Sequence, residues 1–186
     1  TREDVAHSLR RLCYVEDVHV DRHFPHALRV EVLEHEPAAH LLAGGRWYVL
    51  ADDAHVICAV SKGKSAGQAE GGSAGAQSPS LIAGPPRSRF ELPAVTTSAT
   101  VKSGTTLRDA SVTAALEAIE GLPDRLRVRL RAVKSKGAGA LELRLDGGLR
   151  VAWGPAGRTM AKGLALDAVL KNYSRAGKKA TFVDVS

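Results

Sequence analysis

Aromatic residues are scarce: Phe, Trp and Tyr together make up 4% of the 186 residues. Proteins that hold single-stranded nucleic acid stack bases on aromatic rings, and no aromatic residue interleaves the basic stretch Arg125 to Lys136. Cysteine is scarcer still. Cys13 and Cys58 are the only two, too few for a disulfide framework. Cys13 closes a helical pattern and Cys58 sits in the apolar run VICAV, so the expected state is two buried thiols. A bridge between them would need Cα atoms within ~7 Å, which spacing alone does not reveal. No run approaches the ~18 apolar residues of a membrane helix, and no signal-peptide pattern is visible. The chain therefore reads as a soluble piece.

Charge is unevenly spread. Residues 1–60 carry 6 Lys/Arg against 10 Asp/Glu, whereas residues 61–186 carry 20 against 10, for a formal total of +6. All seven His fall within the first 55 residues. Two modules with different surfaces are expected from this polarity. At 44% hydrophobic content the chain can bury one large core or two small ones.

The most patterned stretch is Val15 to Ala39, VEDVHVDRHFPHALRVEVLEHEPAA. Val18 and Val20 alternate with polar residues, as do Leu28, Val30 and Val32 after Phe24-Pro25-His26, the pattern of two half-buried strands and a short turn. Glu36-Pro37 should close the second strand, since Pro has no N–H for the ladder. Upstream, Thr1 to Leu12 reads as a helix that lays Val5, Leu9 and Leu12 on the hairpin. Arg46 to Ala51 and His55 to Val60 form a further apolar pair across Asp52-Asp53.

Residues 61–91 change character. Gly, Ser, Ala, Pro and Gln dominate residues 61–89, with Leu81-Ile82 the only bulky apolar pair, so too little surface can be buried to offset the ordering entropy. A flexible linker or insertion is expected. Order should return after Leu92-Pro93. Arg108 to Glu120 reads as a helix burying Val112, Ala115, Leu116 and Ile119, and Gly121 ends it. RLRVRLRAV predicts a strand with Leu126, Val128 and Leu130 on one face and Arg125, Arg127, Arg129 and Arg131 on the other. Leu141 to Leu145 and Leu149 to Trp153 flank the hairpin turn Asp146-Gly147-Gly148. A helix from about Arg158 to Tyr173 and a last strand, Ala180 to Ser186, complete an α+β layer with a predominantly antiparallel sheet.

Two sets of residues resemble one family. The first runs through Val15, Val18, Val20, Arg22, Phe24, Pro25, Leu28, Val30, Val32, Glu34, Glu36, Pro37, Ala38 and Ala39, with a D-x-x-x-V strand after it. It is similar to the POTRA module of the FtsQ/DivIB bacterial cell-division proteins. The second comprises Leu122-Pro123, L-x-L-x-L-x-x-G-x-x-V-x-x-G from Leu141 to Gly154, K-x-x-x-L-x-x-V-L from Lys162 to Leu170, and the terminal F-V-D-V. It resembles the β domain that follows POTRA in that family. The resemblance implies a partial POTRA module over 1–60 lacking its first strand and helix, a linker over 61–91, and a β domain over 92–186. It further implies a non-catalytic scaffold of septum assembly, anchored by a membrane helix absent from this chain and facing the extracytoplasmic side. Its partners would be FtsB/DivIC-like and FtsL-like proteins, with other division proteins reached through POTRA. They would be held at Thr181, Phe182, Val183, Asp184, Val185, Ser186 and Tyr173.

Catalytic motifs fail on context. His35-Glu36 and His40 miss the H-E-x-x-H spacing by one residue, and Pro37 forbids the helix that motif needs. Gly71-Gly72-Ser73-Ala74-Gly75 fits G-x-S-x-G without the strand and helix of a nucleophile elbow. Gly63-Lys64-Ser65 lacks the leading glycine of a P-loop. His19, His23 and His26 on one hairpin are more simply solvated than metal-bound. No enzyme, cofactor or metal is expected. The reading from another class is a nucleic-acid module tracking phosphates with Arg125 to Lys136, including Lys134. The composition of 61–89 makes its own prediction: limited proteolysis cuts there first and leaves two protected cores. Equal protection across that segment would refute it.

Overall fold

The computed structural model describes residues 2–23, 27–60, 92–136 and 139–186. The expected linker lies outside the described residues, as do the Phe24-Pro25-His26 turn and Gly137-Ala138. The fold is mixed α and β, with four helices and a mostly antiparallel sheet among the described residues.

Helix α1 (Arg2–Arg10) leads into β1 (Val15–His23) and β2 (Ala27–Glu34), an antiparallel pair with Val18 opposite Val32 and Val20 opposite Val30. Ala6, Leu9 and Leu12 close over Val15, Val18 and Val20 as a small separate core. That cover reaches β1 only. Leu28, Val30 and Val32, expected to be half-buried, share their partners' face yet stand exposed along with the rest of β2.

Eight further strands form one sheet in the order β10-β9-β8-β7-β6-β3-β4-β5. They are β3 (Pro37–Ala43), β4 (Arg46–Ala51), β5 (Val56–Val60), β6 (Ala94–Thr97), β7 (Leu130–Ser135), β8 (Leu141–Leu145), β9 (Arg150–Gly154) and β10 (Phe182–Asp184). β6 pairs in parallel with both β3 and β7, so strands from both sides of residues 61–91 share hydrogen bonds and one core. The boundary expected between 60 and 92 thus falls inside a sheet, and the change of unit comes between β2 and β3. Pro37 opens β3 as well as ending what precedes it; a first strand position needs no N–H.

Helices α2 (Ala110–Glu120), α3 (Asp124–Arg127) and α4 (Thr159–Arg175) complete the fold. Asp109 caps α2 by accepting from the Ser111 amide at 2.8 Å, and Gly121 follows its last turn. Val112, Ala115, Leu116 and Ile119 are all buried, as their spacing predicts. The expected arginine strand does not form: Asp124 to Arg127 is a helical turn, and β7 starts only at Leu130. Leu126 is still buried, which a single helical turn achieves as well as a strand. Asp146–Gly148 turns β8 into β9, with Gly147 and Gly148 at φ 69° and 79°, a region costly for residues with a Cβ.

The α3–α4 contact is close. A Cβ on Gly163 would run into the carbonyl oxygen of Gly121, and the Arg125 guanidinium donates to both the side chain and the carbonyl of Asp167. Burial pushes the Asp167 carboxyl up, but hydrogen bonds from Lys171 and Arg125 outweigh it, leaving a net lowered pKa. A carboxylate depressed in the folded state stabilises above its unfolded pKa and loses that contribution as pH falls through the folded value. Asp167→Asn should therefore lower stability by roughly 1–3 kcal/mol at neutral pH. The deficit should shrink in thermal melts below about pH 4. A deficit independent of pH would exclude the charge as its origin.

Candidate functional site: the β10 edge

β10 ends the order of the large sheet, with β9 on its only paired side. The two run parallel, Phe182 beside Arg150, Val183 beside Val151 and Asp184 beside Ala152. The Arg150 amide donates to the Thr181 carbonyl at 3.0 Å, and the Val185 amide donates to the Ala152 carbonyl at 2.9 Å. Main-chain groups alternate along a strand. Thr181, Val183 and Val185 consequently turn theirs toward β9, and Phe182 and Asp184 turn theirs outward.

Side chains alternate as well. Val183 and Val185 pack with Leu166, Val169 and Leu170 of α4 in the main core. Phe182, 54% exposed, and Asp184 point to the opposite face. There the cross-strand register sets Phe182 beside Arg150, Arg150 beside Arg144, and Arg144 beside Ala132. Asp184 leads through Ala152 to Glu142 and Lys134. Glu142 is held by Lys136 at 3.2 Å and Arg144 at 3.1 Å, hydrogen bonds that depress its pKa. Asp184 accepts from the Ser186 amide at 2.9 Å, which lowers its pKa. Gly154, at φ 74°, leaves room for Ser186: a Cβ there would meet the Ser186 side chain at 2.7 Å.

Of the seven expected residues, Thr181 to Ser186 therefore lie together on the edge. Tyr173 does not share the face of Phe182; it sits near the end of α4, on the side the helices cover. Arg150 and Arg144 were missed. Only the strand register, which sets Arg150, 32 positions away, beside Phe182 and Arg144 beside Arg150, could have flagged them.

The other candidates disperse. His35 stacks on His55 with ring centroids 4.2 Å apart, while His40 lies buried in β3, edge-on to Trp47 at 6.4 Å. Burial lowers the His40 pKa. His19 meets Asp21 at 3.1 Å. His26 and the Ser73 and Lys64 motifs lie outside the described residues, and nothing is described for the His23 side chain. Among the described residues no group of three or more His, Cys, Asp or Glu is placed to hold a metal ion. A cleft of about 200 Å³ between the β4–β5 turn and α2 is lined by Asp52, Asp53, Glu117 and Glu120, with Thr113 its one hydroxyl. That hydroxyl donates to the Asp109 carbonyl.

Three of the four arginines expected to form a ladder hold separate partners: Arg125 holds Asp167, Arg127 donates to the Glu120 and Leu122 carbonyls, and Arg129 holds Asp146 at 2.8 Å. Those three follow a helical turn and a loop while Arg131 lies in β7, so the four do not form the period-2 line expected for phosphate tracking. The two cysteines also depart from expectation. Cys13 and Cys58 form a disulfide with Cα atoms 5.7 Å apart.

No family model and no curated protein matches this chain.

The alternation of outward and inward amides predicts opposite results for two prolines. Val183→Pro removes a bond to β9 and should destabilise the fold by about 1–3 kcal/mol, whereas Asp184→Pro loses an outward N–H and should change stability little. Equal melting temperatures for the two variants would contradict the assignment.

Proposed function

We propose that this chain is a non-catalytic scaffold of the FtsQ/DivIB kind, acting in septum assembly by binding another division protein through strand addition at β10. The carrying observation is the edge itself. A three-residue parallel strand ends an eight-stranded sheet with the Phe182 and Asp184 amides facing outward. An added strand gains main-chain bonds there, and the flanking side chains select it. Phe182 and Arg150 beside it supply one apolar and one cationic contact on the open face.

In this reading α1, β1 and β2 are the POTRA-like part and β3 to β10 the β domain. The module boundary lies near residue 36, where the sheets change, rather than at 60. The FtsB/DivIC-like and FtsL-like proteins are the partners, and the region faces the extracytoplasmic side of the membrane at the septum. The disulfide supports that placement, since disulfides persist in oxidising compartments.

The test uses an extended peptide from an FtsB/DivIC-type partner. Asp184→Pro, folded, should bind it at least ~10-fold more weakly than the parent, through one lost augmenting bond and a ring clash. Parent-like affinity in a folded Asp184→Pro variant would remove this edge as the site.

A further inference from the structure

Helix α4 carries an outer face unlike that of an ordinary surface helix. Leu166, Val169 and Leu170 face the core, Gly163 and Asp167 face α3, and the remainder points to solvent. From Met160 to Ala168 every exposed side chain is apolar: Met160, Ala161, Leu164, Ala165 and Ala168. A helix docked by one stripe normally turns charged and polar residues outward. Met160 is 70% and Leu164 60% exposed, and Val128, at the end of the adjacent α3, is 67% exposed. No other large apolar side chains among the described residues are as exposed as these three.

Cations surround this apolar face. Between Arg158 and Lys179 there are six, Arg158, Lys162, Lys171, Arg175, Lys178 and Lys179, against one acid. That acid, Asp167, is buried under Arg125 and Lys171. Lys162 is engaged by the Trp153 and Pro155 carbonyls and Lys171 by Asp167, while Arg158 precedes the exposed stripe and Arg175, Lys178 and Lys179 follow its C-terminal end.

We infer that the outer face of α4 docks on the surface of an anionic lipid bilayer, Met160, Leu164 and Val128 entering the interface while Lys and Arg meet lipid phosphates. Charge and exposure together decide the occupant. A protein groove would match the apolar side chains but would not call for six cations against one acid along the same helix and its end. Nucleic acid would use the cations and leave the methyl and thioether knobs idle. A bilayer interface takes both, since shallow apolar insertion and attraction to anionic headgroups act together. The helix lies on such a surface and does not cross it: no described helix is long and apolar enough to span.

The test is co-sedimentation of the full chain with phosphatidylcholine vesicles, with and without about 30% phosphatidylglycerol, at low salt and at about 0.5 M NaCl. The chain should pellet with the anionic vesicles only and be released by salt. Met160→Ser with Leu164→Ser should weaken that binding at least ~10-fold. Lys178→Gln with Lys179→Gln should weaken it about fivefold per charge removed. All four positions are exposed, and unchanged melting temperatures would verify the fold. Failure of the parent to bind anionic vesicles, or parent-like binding by the serine pair, overturns the inference. So does a parent dimer that the serine pair dissociates, which would make the face a self-interface. Tighter binding to a DNA duplex than to the vesicles, untouched by the serine pair, would assign the cations to nucleic acid and overturn it equally.

Discussion

One row of side chains crosses the large sheet from β10 to β4. Val183 stands beside Val151, then follow Leu143, Val133, Val95, Leu41 and Tyr48, each the direct neighbour of the next. Every member is buried in the same core under α2 and α4. Side chains alternate with period 2, so a one-residue slip at any pairing would turn that strand's contribution toward solvent. Register in seven of the eight strands is thus fixed by one continuous apolar line, which stops short of β5, where Tyr48 pairs with the exposed Ala59. Its shortest interior link is β6, four residues that pair in parallel on both sides. The end of β6 is tied down: the Thr97 hydroxyl donates to Asp109, the residue that caps α2. Sheet centre and first covering helix are therefore positioned by the same carboxylate, whose pKa the Ser111 and Thr97 hydrogen bonds depress.

The properties of β10 follow from being last in that row. Val183 supplies the anchor, while Phe182 and Asp184 belong to the alternate set and must face away from the helices. Sheets commonly protect an edge by keeping it short and charged. β10 has three residues and one charge. It is too short to template an extended aggregate, yet it offers two outward main-chain positions to a single added strand. Lys162 secures the approach by donating to the Trp153 and Pro155 carbonyls at 2.8 and 3.0 Å. The end of β9, against which Ser186 packs, is held from the helix side.

Elements with a one-sided apolar face were legible in the sequence; elements whose state depends on distant partners were not. β1, α2, β8, β9 and α4 each show one period clearly, because one face meets the core and the other meets solvent. β3, PAAHLLA, has buried residues on both faces and opens with Pro, so neither alternation nor composition marks it as a central strand. Without it, the expected boundary falls after β5, inside the large sheet. RLRVRLR has a clean period of 2, and a tertiary contact overrides it. Arg125 is drawn to Asp167, 42 residues later, and Pro123 starts a turn that buries Leu126 by itself. The terminal residues were legible as an edge strand, whereas Arg150 and Arg144 depended on register. Tyr173 shares the helical phase of Leu166, which turns it to the covered side of the sheet, away from Phe182.

The disulfide bears on the smaller unit most of all. Three buried valines under part of one helix are a slender core for a two-stranded hairpin, and isolated hairpins are marginal in water. Two links tie the unit to the far end of the large sheet, and a third bond closes the hairpin ends beside them. Cys13 is bridged to Cys58 in β5, the His35 amide donates to the Tyr14 carbonyl at 3.0 Å, and His35 stacks on His55. In the chain-entropy account, closing a loop between cysteines 45 positions apart contributes about 4 kcal/mol. That is comparable with the whole stability expected of so small a unit. The bridge joins the hairpin to β5, at the opposite end of the sheet from β10. Constraint is thus concentrated at one edge, where the smaller unit needs support, and the other edge keeps its main-chain groups turned outward.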